Sequence, residues 1–242
     1  MAASRKIFAG ESRVRQPMSP HLEAPARMAI LGSSGSGKTA MLLKDILLRR
    51  TSPWRVPHGR ILWCAPRPSL QQAKLVAAKK CLGDSLQFIE GLDRECIEGA
   101  IEAGLAANPD LQQLLVLDDL VGDSSRDPYI SQIFMTGRHR NVSICEVGQR
   151  VYAGPESRTH RLNSTHLILF PFAAPSEITR LLQDLSPDGW RQVYDAYKDA
   201  VRGREWGYFV VDLASGQSPD PERRKLKYRC GWEECYPALS EV

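Results

Sequence analysis

RMAILGSSGSGKTAMLL, residues 27–43, decides how the rest of the chain is read. Met28 to Leu31 form a short apolar run, Gly32 to Thr39 spell G-x4-G-K-[ST], and an apolar stretch from Met41 to Leu48 follows at helical spacing. Glycines in such a loop let the backbone turn tightly, so that successive N–H groups converge on one point, and a helix beginning near Lys38 adds the positive end of its dipole there. That combination suits a phosphate chain. Gly32, Ser33, Ser34, Gly35, Ser36, Gly37, Lys38 and Thr39 are therefore the candidate ATP-binding loop. Lys38 is expected to reach the β and γ phosphates, and Thr39 to offer its hydroxyl to Mg²⁺. A Gly/Ser-rich linker without a ligand is the plain alternative; the strand that enters and the helix that leaves argue against it.

The second half of such a site is an acid at the end of a buried strand. LLVLDDL (114–120) supplies two, Asp118 and Asp119, closing the apolar run Leu114 to Leu117. Asp118 is expected in the Mg²⁺ shell, and Asp119 to orient or deprotonate the attacking water, a task that Glu more often performs. Strand-end turns carry Asp for local reasons as well. The phosphate loop upstream gives this pair its catalytic reading.

Around these two segments, short apolar runs alternate with helical patterns. RMAIL (27–31), RILWCA (60–65), LLVLDDL (114–120), VSICEVG (142–148) and THLILFPF (165–172) read as strands, with helical stretches near 38–50, 69–81, 93–107, 128–137, 175–184 and 187–202. Continuous apolar strands spaced by helices require a sheet covered on both faces. The expected fold is thus α/β, a P-loop NTPase with a doubly wound, mostly parallel sheet, helices on both faces and a small C-terminal β extension. Residues 1–26, polar and carrying Pro17, Pro20 and Pro25, read as an N-terminal arm, 27–203 as the ATPase domain and 204–242 as the β extension. In the extension, WGYFVVDLASGQ reads as a strand entering a turn at Ser215-Gly216, and RRKLKYR as the next strand.

Composition narrows the function classes. A chain of 242 residues with 43% hydrophobic and 25% charged residues can bury a sizeable core. The net charge of +4 permits contact with a polyanion without demanding it. No apolar run is long enough to span a membrane, and the first residues lack the apolar centre of a secretion signal. The six cysteines are scattered, as reduced thiols inside a cell would be. Cys230 and Cys235 lack two further ligands nearby, so zinc is not read there.

The stretch FMTGRHRNVSICEVGQR (134–150) then sorts the site among P-loop classes. The chain has no N-K-x-D base-reading motif of GTPases and no LSGGQ-like transporter motif. If VSICEVG lies beside the acidic strand, Gln149 emerges at its carboxyl end, where open α/β sheets bind ligands. A Gln there can hydrogen-bond both the γ-phosphate and the lytic water. Glu146 is its rival. Arg138, at the end of the preceding helix, is a candidate to complete a neighbouring subunit's site; Arg140, Arg150, Arg158 and Arg161 compete for that role, and a helix-terminal Arg also serves the dipole.

LDDL, then Gly137, Arg138, His139 and Ser143, then a strand ending in Gln149, then NSTHLILF, resembles the genome-packaging ATPases of poxviruses and other large DNA viruses with double-jelly-roll capsids, within the FtsK/HerA superfamily. The likeness covers roughly residues 27 to 185. Ser143 and Gln149 stand one residue further apart than in the simplest form of the pattern, which keeps Glu146 as an alternative sensor. The resemblance implies an ATP-hydrolysing motor, with ATP and Mg²⁺ as cofactors, that translocates double-stranded DNA into a preformed capsid. It implies a homo-oligomeric ring, a hexamer or pentamer, meeting a capsid or portal-vertex protein. It also implies an intracellular place, at the assembly site in the host cell and at the virion vertex, without secretion.

Translocation calls for phosphate contacts that ignore sequence. Arg158, His160 and Arg161 in the ESRTHRLN loop are candidates, as are Arg223, Arg224, Lys225, Lys227 and Arg229 in PERRKLKYR, and Arg5, Lys6, Arg13 and Arg15 in the arm. A solvated loop and a charged edge strand are the bland readings of the first two groups. Two other functions stay open: a cellular-type DNA translocase or helicase of the same superfamily, and a nucleotide-dependent assembly scaffold with little turnover.

Overall fold

The structure, a computed structural model, describes residues 13–18, 22–47, 53–120, 126–202 and 205–241. Among these, ten strands form one sheet: β1 (Gln16–Pro17), β2 (Arg27–Leu31), β3 (Arg60–Ala65), β4 (Leu86–Glu90), β5 (Gln113–Asp118), β6 (Val142–Gly148), β7 (His166–Leu169), β8 (Phe209–Asp212), β9 (Tyr228–Cys230) and β10 (Glu234–Cys235). Their order is β1-β10-β9-β8-β7-β2-β6-β5-β3-β4. From β7 to β4 all pairings are parallel. From β7 outward through β8, β9, β10 and β1 they are antiparallel. The order places β6 between the strand that feeds the phosphate loop and the strand that ends in Asp118. In register, Leu31 faces Gly148 and Val147 faces Asp118.

Parallel strands need crossovers, and helices supply them. They are α1 (Lys38–Met41), continued by a π-helical turn over Leu42–Leu47, α2 (Arg67–Leu70), α3 (Ala73–Leu82), α4 (Arg94–Ala107), α5 (Pro128–Thr136), α6 (Ser157–Asn163), α7 (Pro175–Leu185), α8 (Trp190–Val201), α9 (Leu213–Gly216) and α10 (Pro221–Arg224). Alternate strand residues point to opposite faces. Met28, Ile30, Trp63, Val116, Cys145 and Val147 face one side and pack with Met41 and Leu42 and with Leu75 and Ala78 of α3. Leu62, Leu115, Leu117 and Ile144 face the other, against Ile97 and Ile101 of α4 and Ile130 and Phe134 of α5. Further along that second face Ala29, Leu31, Leu167, Leu169 and Phe209 meet Ile178 and Leu182 of α7 and Val193 and Ala196 of α8. Each Val, Leu, Ile, Phe or Met among them, fully buried, stabilises the fold by about 1.5–3 kcal/mol.

Helix starts follow their caps. Asp93 accepts a hydrogen bond from the Cys96 N–H, and Asp127 accepts one from the Tyr129 N–H with Pro128 in the first turn. Arg94 clamps the same Asp127 carboxylate with two hydrogen bonds, tying α4 to α5.

Several local expectations are corrected. Leu86–Glu90 is a strand the pattern did not single out; it sits at the sheet edge and is only partly buried. ESRTHRLN is not a loop but contains α6, and His160 within it is buried. Ser215-Gly216 lies in the short helix α9, capped by Asp212, rather than in a turn. RRKLKYR is not one strand: Arg223 and Arg224 end α10, and β9 begins at Tyr228. Of the N-terminal arm, Gln16 and Pro17 pair with β10, and Leu22 is wholly buried in the core. Residues 1–12, with Arg5 and Lys6, and Leu48 lie outside the described residues, as does the junction at 203–204. Among the described residues no helix is long and apolar enough to cross a membrane.

Candidate functional site

The loop after β2 is held by its neighbours before any side chain is considered. The Gly32 N–H donates to Gly148 O at 3.3 Å, the Ser33 N–H to Pro171 O at 2.9 Å, and the Ala173 N–H to Ser33 Oγ at 2.6 Å. The loop is thus strung between the ends of β6 and β7. Gly32 has φ +152°, and a Cβ there would stand 2.6 Å from Phe170 Cβ and 3.2 Å from its backbone. Only glycine fits. Gly32→Ala should lower stability by about 1–3 kcal/mol, as overpacking does, and weaken nucleotide binding with it. A thermal melt and a binding titration check this; an unchanged melt would mean that the strand ends shift freely.

Lys38, 7% exposed, starts α1 and donates from Nζ to Gly32 O and Ser33 O, both at 2.7 Å. Burial lowers its pKa, opposed by the nearby charges of Asp119 and Asp118. Thr39 Oγ1 lies 3.3 and 3.4 Å from the two oxygens of Asp118. The Asp118 carboxyl is pushed up to about 6, by burial first and then by the Asp119 charge, with Lys74, Thr39 and Lys38 pulling the other way. Asp119 is exposed and sits at φ +59°, the left-handed region, just past the end of β5. Residues held in such a conformation cluster at functional sites.

Gln149 emerges directly after β6, and its Nε2 donates to Asp119 Oδ1 at 3.3 Å. Its rival is placed elsewhere. Glu146 points to the opposite face from Val147, is buried, and accepts from His160 Nδ1 at 3.1 Å. His160 in turn contacts Ser131 Oγ and stacks on Phe134. Glu146 therefore belongs to a packed polar cluster under α5 and α6.

The remaining candidates are dispersed. Arg138 is exposed in a 3-10 turn, Gly137–Arg140, that precedes β6, and it donates to His139 Nε2. It lies at the amino-terminal end of the strand whose carboxyl end carries Gln149. Seven residues of strand separate the two, about 20 Å. Arg140 makes a two-pronged contact with Glu98 at 2.9 and 2.8 Å. Arg150 and Arg158 are exposed. Arg161 donates to Val151 O and lies over the Tyr152 ring at 4.5 Å. In the basic segment, Arg223 faces Glu23 at 3.5 Å, Arg224 donates to Ser218 O and Pro219 O, and Lys225 bonds Glu222 at 2.6 Å. Arg229 is fully buried against Asp212, and His160 is buried in the Glu146 cluster, so neither reaches a polyanion.

Two residues escaped the sequence reading. Lys74, at the start of α3, lies near enough to Asp118 and Lys38 to shift both. No motif marks it; its one signal is the helix that follows β3 at the ligand-binding edge. Trp206, 51% exposed, packs its ring on Gly37.

The donor set fits the two groups that a P-loop implies. Three of the loop glycines have positive φ, and Ser36 Oγ is buried without a hydrogen-bond partner among the described residues, as a phosphate cradle allows. Thr39 and Asp118 present oxygen donors side by side, the kind Mg²⁺ takes when nucleotide phosphates and water complete its shell. Among the described residues no cluster of three His, Cys, Asp or Glu side chains would hold a metal alone.

No protein-family model matches the chain, and no curated protein matches its sequence. Solved structures do. The genome packaging NTPase B204 from Sulfolobus turreted icosahedral virus 2, in complex with AMP, aligns with TM-score 0.53 at 14% identity over 82% of this chain and 96% of its own. Its complex with ATP-gammaS aligns with TM-score 0.51 at 13% identity, over 82% and 95%. B204, the DNA-packaging ATPase from Sulfolobus turreted icosahedral virus, gives 0.53 at 14%, over 82% and 95%. The chain has the P-loop NTPase fold, and its structural neighbours include the viral genome-packaging NTPase B204.

Proposed function

We propose that the chain is an ATP-hydrolysing motor that moves double-stranded DNA into a viral capsid. The observation that carries the hydrolytic half is the meeting of Gln149 with Asp119 at 3.3 Å, across the loop from Lys38. Lys38 neutralises charge on the β and γ phosphates. Asp119 orients the attacking water and accepts its proton, and Gln149 bridges that water and the γ-phosphate. Thr39 and Asp118 would hold Mg²⁺, which would supply charge neutralisation on the phosphate oxygens. Gln149 closes the strand between β2 and β5, so a change in its hydrogen bonds on loss of the γ-phosphate is felt along β6.

The DNA half rests on the likeness to B204, which spans nearly all of that packaging NTPase. In this reading the protein works as a homo-oligomeric ring, hexamer or pentamer, seated against a capsid or portal-vertex protein. Arg138 cannot serve its own site from the far end of β6; as a finger it acts on the neighbour's γ-phosphate. Arg158, exposed on α6, is the proposed duplex contact.

The test is ATP turnover by the assembled protein with and without duplex DNA. Duplex should raise turnover several-fold, and Arg158→Ala should lower the slope of log affinity against log salt by about 1. Turnover that ignores duplex DNA in an assembled ring would sink the motor and favour the assembly scaffold.

A further inference from the structure

The phosphate loop divides its surroundings into two unlike halves. On the β6–β5 side stand Asp118, Asp119 and Gln149. On the β7–β8 side lies a cavity of about 360 Å³, near the lower end of the ~300–1,000 Å³ common for small-molecule sites. Ser36 of the loop forms one wall. Phe172 after β7, Val201 at the end of α8, and Trp206 and Gly207 before β8 form the others. Among the described residues, no ionisable side chain lines it.

We propose that this cavity takes the purine base of the nucleoside triphosphate, with the Trp206 indole as its stacking platform. The inference rests on the nucleotide reading above and extends it to the base. A triphosphate whose terminal phosphate meets the acids must leave the loop on the opposite side, and that is where the cavity opens. Trp206 is suited to the task in three ways. About half its surface is exposed, unusual for the largest apolar side chain. Its backbone holds φ +62°, a conformation that a bulky residue adopts only under constraint. Its ring lies against the loop itself: a Cβ on Gly37 would meet Trp206 Cε3 at 2.4 Å. Gly207, directly after Trp206, runs hard against α8: a Cβ there would lie 2.6 Å from Ala200 O. Phe172 and Val201 then close the slot with apolar surface. A base held this way is gripped by its face, not read by its edges.

The experiment is calorimetric titration of a non-hydrolysable ATP analogue and of inorganic tripolyphosphate, each with Mg²⁺, into wild type, Trp206→Ala, Trp206→Phe and Lys38→Ala. Trp206→Ala should bind the analogue about tenfold more weakly, within the range that a base–aromatic stack contributes, and tripolyphosphate as wild type does. Trp206→Phe should keep most of the affinity, since any aromatic face serves. Analogue affinity unchanged in Trp206→Ala would overturn the platform. So would an equal loss for both ligands, which would make Trp206 a prop for the loop through Gly37. Wild type that binds neither ligand, like Lys38→Ala, would overturn the nucleotide reading itself.

Discussion

Replacing Lys38 with Ala or Met is expected to reduce ATP turnover by about 10²–10³-fold or more, the size of the loss when one preorganised charge aimed at the reacting group is removed. The fold should survive. Lys38 is buried, and burial lowers its pKa, so the folded chain gains little from holding an ammonium there. What the charge does is offset Asp118 and Asp119 and, in the proposed mechanism, the phosphates between them. Its two acceptors, Gly32 O and Ser33 O, belong to a loop also fastened through Gly148, Pro171 and Ala173. The loop keeps its path without the lysine. Met keeps the aliphatic stem and removes only the charge, so equal losses in Ala and Met would assign the effect to charge rather than to packing. The measurement is steady-state phosphate release beside a thermal melt. Full turnover in Lys38→Met would sink the assignment of the loop as the hydrolytic site.

How much of this was legible beforehand differs from element to element, for physical reasons. The phosphate loop was readable because its residue types are dictated by the backbone: Gly32 and Gly37 sit where a Cβ has no room. The acidic strand and the strand before Gln149 were readable because both faces are buried, so both are mostly apolar. Their adjacency, β2-β6-β5, needed the structure, because parallel order does not follow chain order. β4 was missed because it is an edge strand, with three of its five residues not buried. α6 was missed because it is short and polar, with only Ser157 and His160 buried.

Charge misled most. PERRKLKYR reads as a cationic cluster, but two of its arginines pair with carboxylates outside it: Arg223 meets Glu23, and Arg229 meets Asp212. A distant carboxylate leaves no local pattern. The same is true of Trp206, which looks like an isolated aromatic until β8 pairs with β7 and brings it to the loop. The two sensor candidates are set apart in position for a similar reason. Glu146 lies within β6 and Gln149 directly after it, yet one faces a helix and the other stands beyond the strand's carboxyl end.

The second large effect concerns the tail. Arg229→Leu is expected to destabilise the protein by about 3–5 kcal/mol, the usual cost of breaking a buried ion pair by removing one partner. Arg229 has no exposed surface, and Asp212 hardly any. The Arg229 guanidinium contacts Asp212 Oδ2, and its Nε donates to Leu226 O at 2.9 Å. Asp212 closes β8 and caps α9, accepting from the Ser215 N–H and Oγ at 2.7 Å each, while His166 of β7 stands 3.5 Å away. One carboxylate therefore joins β7, β8, β9 and α9. Burial alone would raise the Asp212 pKa, but the hydrogen bond and charge of His166, then Arg229 and the Ser215 N–H, hold it well below the ordinary carboxylate range. A depressed folded pKa contributes stability that is present above the unfolded value, about 4, and lost as pH falls through the folded one. Wild type should thus keep this contribution down to pH 4 and lose it only in stronger acid. Without Arg229 the carboxyl is less depressed, so in Arg229→Leu the contribution is smaller; it also starts to fall at about pH 4 but is exhausted at a higher pH than in wild type. Urea melts from pH 3 to 7 read both effects, and at neutral pH the midpoint temperature should fall by roughly 6–20 °C for a chain of this size. Because β8 follows directly on Trp206 and Gly207, loosening it should also weaken nucleotide binding. A variant as stable as wild type would show that the strands beyond β7 are an appendage; the predicted loss would make them part of the ATPase core.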